Sequence, residues 1–296
     1  MENKYAFDDF CNTVMQIIEK LAADSGNEIS CVIQPVIKRN DISRTALHIE
    51  SESNKSYPVV YLEDYYEMLQ KSSVEEIAIQ IYQTLGENLV VLSELEVQKL
   101  IERGSVEKFL TYRLINKEMN TDYLKDKVYR DFLDLAVVYE IGCSVGDNCG
   151  AIIVTKKLAE IIGYTENELY KIASANTPRK RPAKFMRLNE AIGIDNVERD
   201  FNDPFIVLSN NEKVFGASVI LYPGLDKVIY DLYGESLIIP SSVHELLIIN
   251  SDICADQLAT MVNEVNNTVV NREDILSYSI YKVSEDGISL LETCVA

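Results

Sequence analysis

Between Asp203 and Asn250 the chain reads DPFIVLSNNEKVFGASVILYPGLDKVIYDLYGESLIIPSSVHELLIIN, four short apolar runs broken by Asn, Gly, Pro and Ser turn signals. Runs of that length, bounded by turn residues, favour strands of a sheet over long helices. Phe205–Leu208 and Ala217–Tyr222 read as strands joined by the polar link Ser209–Gly216. Leu225–Tyr233 reads as a short helix closed by Gly234, the residue that most easily ends one. Leu237–Ile239 and Leu246–Ile249 read as the two arms of a hairpin around Pro240-Ser241-Ser242-Val243-His244-Glu245.

The rest of the chain mixes the two periodicities. Phe7, Phe10, Val14, Ile17, Ile18 and Leu21 fall on one helical stripe of Tyr5–Ala23. Glu28–Arg39, Arg44–Glu50 and Val59–Leu62 read as strands, with the Ser51–Ser56 loop between the last two, and Glu63–Lys71 as helix. Ser73 with Glu76, and Thr165 with Glu168, match capping boxes, each at the start of a helix. Val106–Ile115 alternates as a strand, and Phe132–Ile141 (FLDLAVVYEI) is an apolar run of strand type. Gly150–Thr155 pairs with it through a hairpin at Gly142–Cys149. The helix begun at Thr165 is expected to end near Ala175, with the first part of Thr177–Arg187 (TPRKRPAKFMR) kept extended by its prolines. Ser251 or Asp252 can cap a helix from about Cys254, with Leu258, Met261, Val262 and Val265 as its core face. Ser284–Gly287 joins a last hairpin. Strand and helix alternate without strict βαβ repetition, which predicts an α+β fold, mainly antiparallel, in two regions, 1–130 and 131–296, with a soft boundary near Asp131.

Charge narrows the function. Lys and Arg total 28 against 47 Asp and Glu, a net charge of −19. Such a chain repels nucleic-acid phosphates and anionic membrane surfaces, and a basic partner suits it better. No window has the ~20 apolar residues of a membrane span, and MENKYAFDDF lacks a signal-peptide apolar core, so the cytoplasm is the expected compartment. The six cysteines form no C-x-x-C pair and sit far in sequence from the two histidines, so no metal and no other cofactor is expected, and reduced, mostly buried thiols are. The glycines at 142, 146 and 150 are followed by neither G-K-[ST] nor a helix, which argues against a phosphate loop.

Two groups of residues remain as candidates. Ser242 and His244 lie two apart and would share one strand face, with Ser241 and Glu245 opposite. A serine beside an imidazole is a nucleophile in waiting if a carboxylate orients the ring. No G-x-S-x-G elbow accompanies it, and Ile248 breaks the H-E-x-x-H zinc pattern that His244-Glu245 begins. The same tip with Tyr222 makes a recognition patch of Tyr222, Ser241, Ser242, His244 and Glu245, while a plain polar turn explains it without chemistry. Arg179, Lys180, Arg181, Lys184 and Arg187 make an anion contact, or a solvated stretch pairing with the acidic body. His48, among apolar neighbours on its strand, reads as a satisfied, partly buried histidine.

Taken in order, KRNDISRTALHIE, YPVVYLEDYYEML, YRLINKEMN, DFLDLAVVYEI, FIVLSNNEKVFGASVILYP, LIIPSSVHELLII and MVNEVNNTVVNREDILS resemble the bacterial family catalogued as domain of unknown function 5688, found mostly in anaerobic Firmicutes. The resemblance covers nearly the whole chain and implies no catalytic residue, because the family has no assigned activity. The first reading is therefore a cytoplasmic binding or interaction protein without catalysis, with a protein partner. The alternative is a hydrolase-like enzyme using Ser242 and His244 with an unplaced carboxylate. Nucleic-acid contact through Arg179–Arg187 is a third reading that the net charge disfavours.

Overall fold

The amphipathic stripe near the N-terminus folds as expected in the computed structural model, which describes residues 6–26, 29–50, 59–87, 101–145, 148–191, 193, 205–250 and 254–291. Helix α1 (Phe7–Asp24) buries Phe10, Val14, Ile18 and Ala22 completely. Strands β1 (Ser30–Ile37), β2 (Ser43–Glu50) and β3 (Val60–Tyr61) form an antiparallel sheet in that order. Helix α2 (Leu62–Tyr66) runs into a 3-10 turn, Glu67–Gln70, and helix α3 (Val74–Glu87) follows. Ser73 and Glu76 exchange the two hydrogen bonds of a capping box at its start. This first unit closes on Phe10, Val14, Ile18, Leu47, Leu62, Ile77 and Ile81, with Cys11 and Cys31 among them. Burial pushes the Cys11 thiol up to about 11 and the Cys31 thiol up to about 12, so both stay protonated and unreactive.

The contacts divide the chain into two units, and Arg39–Asp41 joins Glu102–Cys143 and Cys149–Ala296 in the second. The soft boundary placed at Asp131 falls inside that second unit. Helix α4 (Arg103–Phe109) leads into β4 (Leu110–Asn116), of which every residue but Arg113 is buried. The strand expected over Val106–Ile115 is thus helix in its first half. Val106, Phe109 and Leu110 are spaced i, i+3, i+4, which suits a helix as well as an imperfect alternation. The run Phe132–Ile141 is two strands, β5 (Tyr129–Phe132) and β6 (Leu135–Val145), turning at Leu133 with φ 53°. Asp134 pins that turn by accepting from Tyr281 Oη at 2.6 Å and Ser277 Oγ at 2.5 Å, contacts no local pattern reveals. β6 pairs with β4, β5 and β7 (Asn148–Ile153). The tip of that β6–β7 hairpin at Gly146–Asp147, the Ser51–Ser56 loop and the expected Ser251 or Asp252 cap lie outside the described residues.

Helix α5 (Lys156–Ile162) ends at Gly163 in the left-handed conformation, and α6 (Glu166–Lys180) starts on the Thr165–Glu168 capping box. Thr165→Ala removes one side of that box and is expected to cost about 1 kcal/mol, read as a lower urea midpoint at unchanged slope. The helix overruns its expected end at Ala175 and contains Pro178. Buried Thr177 holds the extra turn: its hydroxyl donates to Ala173 O at 2.7 Å and accepts from Tyr112 N–H at 3.2 Å. Strand β8 (Ala183–Arg187), the short α7 (Leu188–Ala191) and β9 (Phe205–Asn210) come next.

The next segment departs most from expectation. Ala217–Tyr222, read as a strand, is a 3-10 helix over Gly216–Leu221 whose residues Gly216–Ile220 are buried. Its β-branched residues are overridden by tertiary packing, since Leu114 N–H donates to Ser218 Oγ at 2.9 Å and Gly216 is wedged against β9. Helix α8 (Leu225–Tyr233) and strands β10 (Ser236–Ser242) and β11 (Glu245–Asn250) follow the expectation. Helix α9 (Ala255–Thr268) is rotated from its expected face. It buries Leu258, Ala259, Val262 and Asn266, and leaves Met261 and Val265 40% and 39% exposed. Strands β12 (Tyr281–Ser284) and β13 (Gly287–Leu290) complete a six-stranded antiparallel sheet, β13-β12-β10-β11-β9-β8. The architecture is α+β, and the described residues form three antiparallel sheets.

Candidate functional site

The β10–β11 hairpin turns at Val243-His244, because the pairing slips between Ile239 and Ser242 and resumes only at Ser242 opposite Glu245. His244 is therefore a turn residue, not a strand neighbour sharing a face with Ser242. The Ser242 hydroxyl accepts from the backbone N–H of His244 at 3.1 Å, the bond a serine makes in a polar turn. The imidazole faces elsewhere. Its Nδ1 accepts from Phe215 N–H at 3.3 Å, which puts the proton of the neutral ring on Nε2. Nε2 lies 3.5 Å from Asp274 Oδ1. Asp274 is held by the same turn, its carbonyl accepting from Val243 N–H at 2.9 Å. A carboxylate thus stands beside His244, but no described hydrogen bond joins the imidazole to the Ser242 hydroxyl.

Phe215 is the centre of what surrounds the imidazole. It has φ 50°, a left-handed conformation that a bulky residue holds only when its surroundings enforce it, at a cost of about 1–3 kcal/mol. Its ring lies 5.7 Å from that of His244. The guanidinium of Arg113, from β4, stands 4.4 Å from the ring centroid, and that of Arg39 stands 4.8 Å from it. Arg39 precedes Asn40, whose amide donates to Arg272 O at 2.6 Å and Ile275 O at 2.9 Å, so the short turn is anchored in place.

Carboxylates tie the cations together. Asp274 Oδ1 is 3.3 Å from Arg39 as well as near His244. Glu140, 2% exposed on β6, meets Arg113 at 3.5 Å and Arg181 at 2.8 Å, and accepts from Thr111 Oγ1 at 3.3 Å. Arg181 also reaches Glu212 at 3.1 Å. The chain from Glu212 through Arg181, Glu140 and Arg113 to Phe215, Arg39, Asp274 and His244 is continuous within the second unit. Two buried donor nitrogens in it, Arg39 Nη1 and Arg113 Nε, have no acceptor among the described residues. Each such group costs about 1–3 kcal/mol in a folded protein and calls for an explanation. Burial first, and then the charge of Arg113, lower the pKa of Arg39, against the pull of Asp274.

The residues singled out by sequence separate. Ser241, Ser242, His244 and Glu245 stay together, half-buried, at the hairpin end. Tyr222 does not belong to an exposed patch: it is buried, its hydroxyl donates to Arg181 O at 2.5 Å, and burial pushes it up to about 12. The basic stretch is divided. Arg181 turns inward, Lys184 pairs with Glu190 at 2.8 Å, and Lys180 lies 4.6 Å from the Phe109 ring centre. Arg179 and Arg187 are exposed. Arg39, Arg113, Glu140, Phe215 and Asp274 escaped the sequence reading. For two of them a signal exists. Arg113 and Glu140 are single charges in otherwise apolar strands, and Thr111 is directly opposite Glu140, which puts Arg113 diagonal to it on the same face.

Among the described residues no group of three His, Cys, Asp or Glu side chains could hold a metal ion, and no helix is long and apolar enough to cross a membrane. The model of a family of unknown function, DUF5688, matches residues 7–284, and the chain belongs to that family. Neither a curated protein nor a solved structure matches it.

Proposed function

We propose that this chain is a binding protein, acting in the bacterial cytoplasm, whose hairpin end at Ser241–Glu245 and the arginines behind it receive the partner. One observation carries this reading over hydrolysis. A serine hydrolase needs its imidazole to take the proton of the nucleophile, whereas His244 Nδ1 already accepts from Phe215 N–H, and Ser242 Oγ is used by the turn. Asp274 Oδ1 stands 3.5 Å from the imidazole Nε2, and that carboxylate is shared with Arg39 at 3.3 Å. The net charge of −19 and the free, buried thiols of Cys11 and Cys31 agree with a soluble protein in a reducing compartment. A protein partner remains part of the proposal, and the geometry favours one that presents an acceptor to the arginines.

The test is covalent. The full chain is incubated with a fluorophosphonate probe beside Ser242→Ala. No labelling of either protein is the expected result. Labelling of the wild type that disappears in Ser242→Ala would show an activated serine and replace this reading with the hydrolase.

A further inference from the structure

The donors left over behind His244 define what the site would take. Arg39 and Arg113 come from different elements and converge on one aromatic ring, which brings two guanidiniums to one place. Their carboxylates are shared out: Glu140 serves Arg113 and Arg181, and Asp274 serves Arg39 and faces His244. Each guanidinium keeps one buried nitrogen, Arg39 Nη1 and Arg113 Nε, whose N–H groups find no acceptor among the described residues. Planar forks of this kind match the oxygen pairs of carboxylates and phosphates. The side chains are 17% and 13% exposed, so the cluster lies just under the surface, beneath Phe215.

We propose that Arg39 and Arg113 form an oxyanion site, for a phosphate or carboxylate group that the partner presents, with Phe215 as its lid and His244 at its edge. This rests on the binding reading above and names the chemistry of what is bound. Phe215 suits the lid. It follows a run of exposed residues, Asn211–Val214, while its backbone is held by its N–H donating to His244 Nδ1 and its carbonyl accepting from Ser218 N–H at 3.2 Å, which leaves the ring as the part free to move. Swinging its ring outward is a rotation between side-chain rotamers, and it would vacate the space the ring fills beside both guanidiniums. The entering oxygens then accept from Arg39 Nη1 and Arg113 Nε, the two donors that lack acceptors. With the ring in place the cations are held apart from water by the aromatic face, a weaker partner than an anion.

The test uses the full chain titrated with sodium phosphate and, separately, with sodium succinate, with sodium chloride as the ionic-strength control. Arginine Nε–H resonances are followed by nitrogen-15 NMR and affinities by calorimetry. Saturable binding of one of the two anions is expected, and the anion that binds assigns the group as phosphate or carboxylate. Arg39→Gln is expected to weaken it about tenfold or more, as loss of a charged hydrogen-bonding partner does. Phe215→Ala, which keeps every charge, is expected to bind more tightly and covers the case in which an arginine variant fails to fold. The proposal is overturned if neither anion binds the wild type or Phe215→Ala, if chloride reproduces the response, or if Arg39→Gln leaves it unchanged. Such a failure is separable from failure of the binding reading, because the Ser242 probe experiment does not depend on either arginine.

Discussion

Replacing Glu140 with leucine is expected to destabilise the protein by about 3–5 kcal/mol, the range for stripping one partner from a buried ion pair. Glu140 is 2% exposed and serves two guanidiniums at once, Arg113 at 3.5 Å and Arg181 at 2.8 Å. The two cations differ in what remains to them. Arg181 keeps Glu212 at 3.1 Å and is partly solvated. Arg113 loses its carboxylate while already holding one buried N–H without an acceptor. The damage should therefore be concentrated on Arg113. The double variant Arg113→Met/Glu140→Leu, which removes the stranded charge as well, is expected to recover at least half of the loss. Urea unfolding of the wild type, the two single variants and the double variant gives the coupling directly. A single-variant loss below about 1 kcal/mol would place Glu140 in the class of weak, hydrated ion pairs instead.

Local patterns in the sequence were enough wherever the structure is decided locally. The stripe Phe10, Val14, Ile18 forms α1 because helical spacing alone puts those residues on one face. Both capping boxes form because each needs only residues three apart. The hairpin around Ser284–Gly287 and the antiparallel, mixed architecture follow from short runs bounded by turns. Misreadings fall where distant groups decide. The 3-10 helix at Gly216–Leu221 has strand-forming side chains, yet its shape is set by β9, by the β10–β11 turn and by Leu114. The last turn of α6 survives Pro178 because Tyr112 and Ala173 hold Thr177. The candidate site shows the same division. His244 and its neighbours stood out as a polar interruption between apolar strands. Their surroundings are made by Arg39, Arg113, Phe215 and Asp274, which four other segments deliver and which no spacing rule connects. What was readable was the hint of a lone arginine and a lone glutamate in the apolar strands β4 and β6, since charges there demand partners.

Gly216→Ala is expected to be the most damaging single methyl that can be added near the site. A Cβ at Gly216 would fall 2.0 Å from Ser209 Oγ, 2.4 Å from His244 O and 2.8 Å from Asn210 N. The first obstacle could rotate away, though Ser209 Oγ would then give up its 2.7 Å bond to His244 O. The other two are backbone atoms of β9 and of the hairpin turn, and they yield only if the sheet and the 3-10 helix separate. Overpacking of ordinary core positions costs about 1–3 kcal/mol, and a clash against two backbones belongs at or above the top of that range. Ser209→Ala/Gly216→Ala separates the contributions: it removes the hydroxyl obstacle, and because the backbone contacts persist it is expected to recover only a minor part of the loss. Stability and the setting of His244 also meet at this glycine. It lies directly after Phe215, whose left-handed backbone and bond to His244 Nδ1 require the 3-10 helix to sit tight against the turn. Any separation that admits the new methyl pulls Phe215 N–H away from the imidazole and frees the ring that covers Arg39 and Arg113. The expected signature is therefore twofold: a large fall in the urea midpoint, and a shift of the His244 ring resonances in the fraction that stays folded. A fall in stability with unchanged His244 resonances would show that the strain is relieved elsewhere and that Gly216 has no part in setting the imidazole.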